Sequence, residues 1–352
     1  MQPESAAASP FRWNQPRSWQ QQPWWPWTKR GVSLAFFLLV TWLIVGQART
    51  IAWGGVWTSL KEIPTSVLGW AGLLTVLTYG VYCSFDLIGR YYSRHKLSHR
   101  LVLFVTFISY AFNLNLGTII GGVAFRYRLY GHYGLHGGQI AHVTALSMVT
   151  NWIGYCMLAG VVFLVWPLPL PPQWGLGTGD MRWLGALALG IALVYLAVCA
   201  WRGGRDGRNL VIRGKSIPMP GWRLALLQQF LSAIHWMLMA SIIFVLLQGK
   251  APYPTVLATL LVAAIAGVIA HVPAGLGVTE AVFVALMGHQ VEHGPLLAAL
   301  LGYRGIYYIG PLIVAALSYL VVELQRRRDA EDAEDDSGPP TGHLPETVTK
   351  TG

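Results

Sequence analysis

The stretch His271-Val272-Pro273-Ala274-Gly275-Leu276-Gly277-Val278-Thr279-Glu280 interrupts an apolar run that begins near residue 255. An earlier stretch, Asn113-Leu114-Asn115-Leu116-Gly117, does the same to the run at 101–122. A helix that simply crosses a bilayer gains nothing from proline, closely spaced glycines, amides or a carboxylate. Irregular backbone at membrane depth is tolerated only where protein or a water-filled cavity surrounds it. The two breaks therefore point to an all-α polytopic membrane protein and mark the candidate substrate path of a transporter.

Composition agrees with a membrane domain. Hydrophobic residues make up 54% of the 352-residue chain and charged residues 11%, whereas soluble domains are near a quarter charged. The formal charge of +10 sits beside apolar runs, which suits anionic lipid headgroups and not nucleic acid. Cys83, Cys156 and Cys199 fall in separate apolar segments, with neither metal spacing nor a disulfide framework. Residues 1–29 read as a cytoplasmic segment rich in Trp, Pro and Gln, with Trp24, Trp25, Trp27, Lys29 and Arg30 as an interfacial anchor. Residues 30–325 read as one integral membrane domain, and 326–352 as a disordered cytoplasmic tail. No soluble catalytic domain is expected at either end.

Apolar segments lie at 31–48, 66–88, 101–122, 139–166, 182–201, 223–247, 255–271, 276–290 and 304–324. Full spans need about 20 residues, so 276–290 is too short to cross alone. Positive charge fixes the sides. Arg90, Arg94, Lys96 and Arg100, then Arg202 through Arg223, then Arg326, Arg327 and Arg328 mark cytoplasmic loops. The stretches 167–181 and 248–254 carry almost none and face outward. Residues 101–138 must then enter and leave on the cytoplasmic side, and 255–303 on the outer side. The expected architecture is about six full spans plus two re-entrant helical hairpins, about eight transmembrane segments by hydropathy. An inverted repeat would generate it; ordinary helix kinks are the alternative. Both termini are expected in the cytoplasm.

The candidate residues cluster at the breaks. Asn113 and Asn115 need partners or water if buried. Arg126 and Arg128 follow the first break, and an arginine fork matches phosphate oxygens bidentately; positive-inside anchoring is the plainer reading. At the second break, Gly275 and Gly277 permit a tight turn. A half-helix starting near Val278 would leave free N–H groups that favour an anion. Thr279 is a candidate cap. Glu280 is an intramembrane carboxylate, readable as an ion-pair partner of Arg304 or Arg126, as a substrate or gating contact, or as a proton-coupling group. His271 titrates near neutrality in its unperturbed form, although a packed histidine is the commoner case. Arg304 is read as a snorkelling outer-face residue or as the partner of Glu280. Asp86 has Arg90 four residues on and receives little functional weight. His235 and Trp236 are candidate cavity residues, with core packing the favoured reading. The histidines form no zinc set, and neither a phosphate-binding loop nor a serine elbow is present. No metal and no cofactor are expected.

At these residues the chain resembles the lysylphosphatidylglycerol synthase transmembrane family, which includes the membrane flippase region of the bacterial multiple peptide resistance factor. The matching stretches are Ser109-Tyr110-Ala111-Phe112-Asn113 through Gly117, Gly121-Gly122 through Phe125-Arg126-Tyr127-Arg128-Leu129, Pro273 through Glu280, and Tyr303-Arg304. The resemblance spans roughly residues 30–325. It implies a multi-pass protein of the bacterial inner membrane with a hydrophobic cavity, re-entrant helices and lipid-translocating activity. The soluble aminoacyl-transfer domain of the fused factor has no counterpart in the sequence, so synthase activity is not expected. The resulting expectation is a transporter, not an enzyme. It flips an anionic or aminoacylated phospholipid past Asn113, Asn115, Arg126, Arg128, His271, Gly275, Gly277, Thr279, Glu280 and Arg304. Alternatives are a proton-coupled small-solute transporter, an integral membrane lipid-modifying enzyme, and export of a hopanoid or polyprenyl-linked lipid. Expected partners are membrane phospholipids, a second copy in a homodimer, and a separately encoded lipid-synthesising enzyme.

Overall fold

The computed structural model describes residues 61–93, 95–168, 177–202, 210–212, 215–217, 220–270 and 273–336. The chain divides into two units, Met1–Ile51 and Ala52–Gly352; the first, with the expected span at 31–48, lies outside the described residues, and so does His271.

The apolar runs become helices. In chain order these are α1 (Thr65–Ser93), α2 (His99–Leu116), α3 (Phe125–His132), α4 (Gly137–Val165), α5 (Thr178–Arg202), α6 (Trp222–Leu246), α7 (Tyr253–Ala270), α8 (Val278–Met287), α9 (His293–Tyr303) and α10 (Gly310–Asp336). Local chemistry sets their ends. Ser98 caps α2 by accepting from the Leu101 amide, His136 and Gln139 form a capping box on α4, and Asp180 accepts from the Gly177 amide at the start of α5. A short antiparallel hairpin, β1 (Leu210–Ile212) with β2 (Lys215–Ile217), lies in the arginine-rich connection between α5 and α6. The rest of the described architecture is helical.

Among the described residues, six helices are long and apolar enough to cross a membrane: Thr65–Ser93, Gly137–Val165, Thr178–Trp201, Trp222–Leu246, Tyr253–Ala270 and His293–Gln325. The expected segments 66–88, 139–166, 182–201, 223–247 and 304–324 fall within or beside them. Tyr253–Ala270 adds a candidate inside a region read as a hairpin. The last helix starts earlier than expected because α9 and α10 join through a widened turn at Arg304–Ile309. It also continues as helix to Asp336, past the 325 boundary drawn from the sequence.

Burial is inverted relative to a water-soluble bundle. Trp70, Leu73 and Val76 on α1, Leu187 and Val194 on α5, and Ile313, Leu317 and Val321 on α10 are exposed. Asp86, Arg126, Gln228, Gln229, His235 and Arg304 are buried. Leaving one large apolar side chain in water forgoes roughly 1.5–3 kcal/mol, so these stripes belong against hydrocarbon. Inside, small residues and hydrogen bonds hold the helices together. A Cβ on Gly154 of α4 would lie 2.2 Å from the Ser232 Cβ of α6, and one on Gly160 would lie 2.7 Å from Leu189 of α5. Gln228 donates to Thr150 (2.7 Å) and accepts from Tyr195 (2.9 Å), joining α6, α4 and α5.

Candidate functional site

Both expected breaks are present. α2 ends at Gly117, whose φ of 82° lies in the left-handed region that glycine reaches without penalty. The chain then turns back through a widened helical segment, Thr118–Ala124, into α3. This returning segment lies against α2. A Cβ on Gly121 would sit 2.2 Å from the Phe112 carbonyl carbon and oxygen, and the Phe112 and Phe125 rings stack at 4.0 Å. Widened turns of this kind recur at functional sites.

At the second break, α7 ends and Pro273–Gly275 forms a single tight turn. Ala274, Gly275 and Gly277 all have positive φ. For Ala274, at φ 57°, this conformation costs about 1–2 kcal/mol, so its surroundings must hold it there. α8 then begins at Val278, as the sequence predicts, and packs beside α7. Thr279 donates to the Gly275 carbonyl at 3.2 Å, which tightens the turn. With only ten residues, α8 is too short to cross a bilayer. The Pro273–Gly275 turn packs against α2, so the second interruption lies beside the first interrupted helix.

Each break carries one arginine paired with one carboxylate. Arg126 donates through Nε and Nη2 to the two oxygens of Asp86 (2.9 and 3.0 Å), through Nη1 to the Gly122 carbonyl (3.0 Å) and through Nη2 to Ser147 (3.4 Å). Tyr130 donates to the same carboxylate at 3.0 Å. The side chains of Arg126 and Asp86 are 2% and 0% exposed. Asp86 therefore pairs with Arg126 of α3, not with Arg90. Arg90 instead donates to the Leu97 carbonyl and meets His99. A carboxylate inside an apolar segment is itself a signal of function; the adjacent Arg90 supplied a local explanation that hid it.

Arg304, 5% exposed, donates through Nε and Nη2 to the two oxygens of Glu280. It also donates to the carbonyls of Ala274 (3.3 Å) and Gly275 (3.1 Å), which accounts for the strained turn being held. The Glu280 side chain is 19% exposed, so this pair is accessible where the first is sealed. Arg304 lies 5.5 Å from the Tyr308 ring centre. Of the two partners the sequence allowed for Glu280, the structure places Arg304 there.

Further hydrogen bonds tie α2 to the last helix and to α6. Asn115 donates to the carbonyls of Ala111 (2.8 Å) and Tyr308 (3.2 Å). Asn113 stands beside Gly122, its Oδ1 buried with no hydrogen-bond partner. Tyr110 of α2 meets Tyr307 (2.8 Å) and His235 of α6 (3.0 Å), whose Nδ1 lies 3.3 Å from the Thr78 carbonyl. Because that carbonyl only accepts, Nδ1 carries the proton and Nε2 accepts from Tyr110; Tyr110 in turn accepts from Tyr307. Sequence reading favoured core packing for His235 and overlooked Tyr110 and Tyr307, because nothing in their local spacing brings α2, α6 and the last helix together. Arg128 turns away from Arg126 and pairs with Glu323 of α10 at 2.9 Å. No group of His, Cys, Asp or Glu able to hold a metal occurs among the described residues.

Lipid-facing stripes, a polar interior and paired charges at broken helices define an integral membrane protein with a polar core. Relatives share the sequence over nearly its whole length. The chain is 41% identical to the inner membrane protein YbhN of Escherichia coli over 310 residues, covering 88% of this chain and 96% of the relative. It is 31% identical to the uncharacterized protein slr0712 of Synechocystis over 302 residues, 85% of this chain and 92% of that one. The family described as the lysylphosphatidylglycerol synthase TM region matches residues 31–315, and the chain belongs to that family.

Proposed function

We propose that the protein moves the polar head of an anionic or aminoacylated phospholipid across the bilayer while the acyl chains stay in hydrocarbon. The observation that carries this reading is the juxtaposition of the second break, with its accessible Glu280–Arg304 pair, against interrupted α2 inside an apolar-coated bundle. A headgroup crossing hydrocarbon must exchange its hydration for protein contacts that are weak and distributed. Arg304 supplies a fork for phosphate oxygens, Glu280 an acceptor for an amine, and the start of α8 unpaired N–H groups. Both forks are filled, but the Arg126–Asp86 pair is sealed at 2% and 0% exposure while the carboxylate that Arg304 holds is 19% exposed, which favours Arg304 for the headgroup contact.

In this reading, α2 with Thr118–His132 forms a hairpin that enters and leaves on the cytoplasmic side. α7 with α8 forms its counterpart from the outer side, related by an inverted repeat. Both termini face the cytoplasm, and the membrane is the inner membrane, as in the name of the Escherichia coli relative. No covalent chemistry is required. The lipid-making step falls to a separately encoded enzyme, and two copies pair in the bilayer.

The test is reconstitution of the purified protein into liposomes with labelled phosphatidylglycerol, its lysyl ester and phosphatidylethanolamine. Transbilayer movement of at least one lipid is expected, with Glu280→Gln slowing it about tenfold, or ~1.4 kcal/mol of barrier. Lipid that stays in its original leaflet across the whole panel would sink the proposal. Conversion of any lipid to a new species would replace it with an enzymatic one.

A further inference from the structure

The short connection between α1 and α2 holds a buried group that the translocation path does not use. The His95 ring is 7% exposed, and neither ring nitrogen has a hydrogen-bond partner. A buried polar group left unpaired is costly and calls for an explanation. Its surroundings are defined. On α1 stand Arg90 and Asp86, both close enough to act on the ring electrostatically. On α3 stands Tyr130, its ring centre 6.3 Å away. On α2 stands His99, its Nε2 2.9 Å from the Arg90 guanidinium. Lys96 follows next in the chain.

Among the described residues, a proton on His95 would find no free acceptor there. The Asp86 carboxylate is the nearest negative charge, but it already accepts from Arg126 twice and from Tyr130. We propose that His95 is an acid-sensitive catch on the first broken element: protonation expels the ring from its cover over Tyr130 and loosens α3 with the segment that precedes it. Through that element cytoplasmic acidity regulates lipid movement; this last link rests on the translocation reading.

Burial first, and the Arg90 charge second, hold the His95 imidazole below its ordinary value of 6.5. The folded protein thus binds this proton less readily than the opened one. Closure of the catch is fully stable above about pH 6.5 and weakens as pH falls below it.

Hydrogen exchange of the full-length protein in detergent, corrected for intrinsic exchange chemistry, reads the catch directly. Between about pH 7.5 and 5.5, protection of residues 95–101 and 125–132 should fall severalfold while that of α5 and α6 stays level. In His95→Phe and His95→Gln, protection should stay high at both values. Should the phenylalanine variant fail to fold, the glutamine variant decides. Unchanged protection in the parent, or an equal loss in a neutral variant, would overturn the catch. The same proteins in liposomes test its consequence. A parent rate that shifts over this window and a flat rate in His95→Gln are expected. A switch in protection beside a flat parent rate overturns the regulatory link alone, and a panel in which no lipid moves removes the translocation reading while leaving the catch to the exchange result.

Discussion

Arg126 and Arg304 each adjoin a widened helical turn, each meets a single carboxylate bidentately, and each also holds backbone beside a break, one carbonyl for Arg126 and two for Arg304. Their surroundings differ. Arg126 joins α3 to α1 in a sealed setting where Ser147 and Tyr130 complete the network. Arg304 joins the last helix to the start of α8, and its partner is in part open. A closed, fully satisfied pair acts as a strut, since nothing can enter without breaking several bonds at once. A pair with an accessible acceptor and a strained turn beneath it can exchange one partner for a ligand. In the proposed function the same two residue types serve a fixed joint at one break and an exchangeable contact at the other.

The harshest way to break this comparison is to unpair the strut. Asp86→Ala leaves the Arg126 guanidinium buried and uncompensated, which costs about 3–5 kcal/mol. Thermal unfolding in detergent should show a large loss of stability or failure to fold. Replacing both partners, Asp86→Leu with Arg126→Met, should recover most of that loss and retain lipid movement in the liposome assay. A double variant that folds well but moves no lipid would give Arg126 or Asp86 a direct part in transport and erase the distinction between the pairs.

A second probe acts on the backbone under the strut. At Gly121 an added methyl would overlap the Phe112 carbonyl at 2.2 Å, and backbone cannot yield as a flexible side chain would. Gly121→Ala should cost about 1–3 kcal/mol, seen as a lower unfolding midpoint and faster exchange in 118–132. A Cβ on Gly131, by contrast, meets nothing within 4 Å. Gly131→Ala in the same helical arm should match the parent or gain slightly. Equal effects at both positions would show that α2 and the returning arm are not packed as tightly as the geometry requires.

What the sequence disclosed about these regions follows from the range of the forces involved. The breaks were legible because proline, and glycine at positive φ, act within a few residues; Gly117, Gly277 and the start of α8 at Val278 fall where such residues put them. The apolar spans were legible because hydropathy is a local average. Pairing was not, since Asp86 and Arg126 are 40 residues apart and only the return of the chain through Thr118–Ala124 brings them together. Spacing along one helix offered Arg90 instead, a plausible partner that the tertiary fold overrode. Arg304 was offered, beside Arg126, as a partner for Glu280 because each stands alone as a charge in apolar surroundings, so few combinations exist. The Tyr110–His235–Tyr307 chain gave no such hint, because its members look like ordinary core aromatics until three helices meet.

Arg128 gives the mildest and most discriminating probe. It lies two residues beyond Arg126, and successive helix positions turn by about 100°, so the two side chains leave the helix on nearly opposite sides. Arg126 reaches α1, whereas Arg128 reaches Glu323 on α10, where the pair is 26% and 16% exposed and the guanidinium lies 5.7 Å from the Tyr319 ring centre. Solvent screening and side-chain entropy leave such a pair worth about 0–1 kcal/mol. Arg128→Gln should therefore shift the unfolding midpoint little, in contrast to any unpairing at Asp86. If α3 must part from α10 for a headgroup to pass, this weak contact is the one that opens, and the variant should move lipid at least as fast as the parent. A large loss of stability in Arg128→Gln would mean that both faces of the returning arm are load-carrying joints and that the arm is clamped instead of hinged. A loss of transport without a loss of stability would make Arg128 a headgroup contact in its own right.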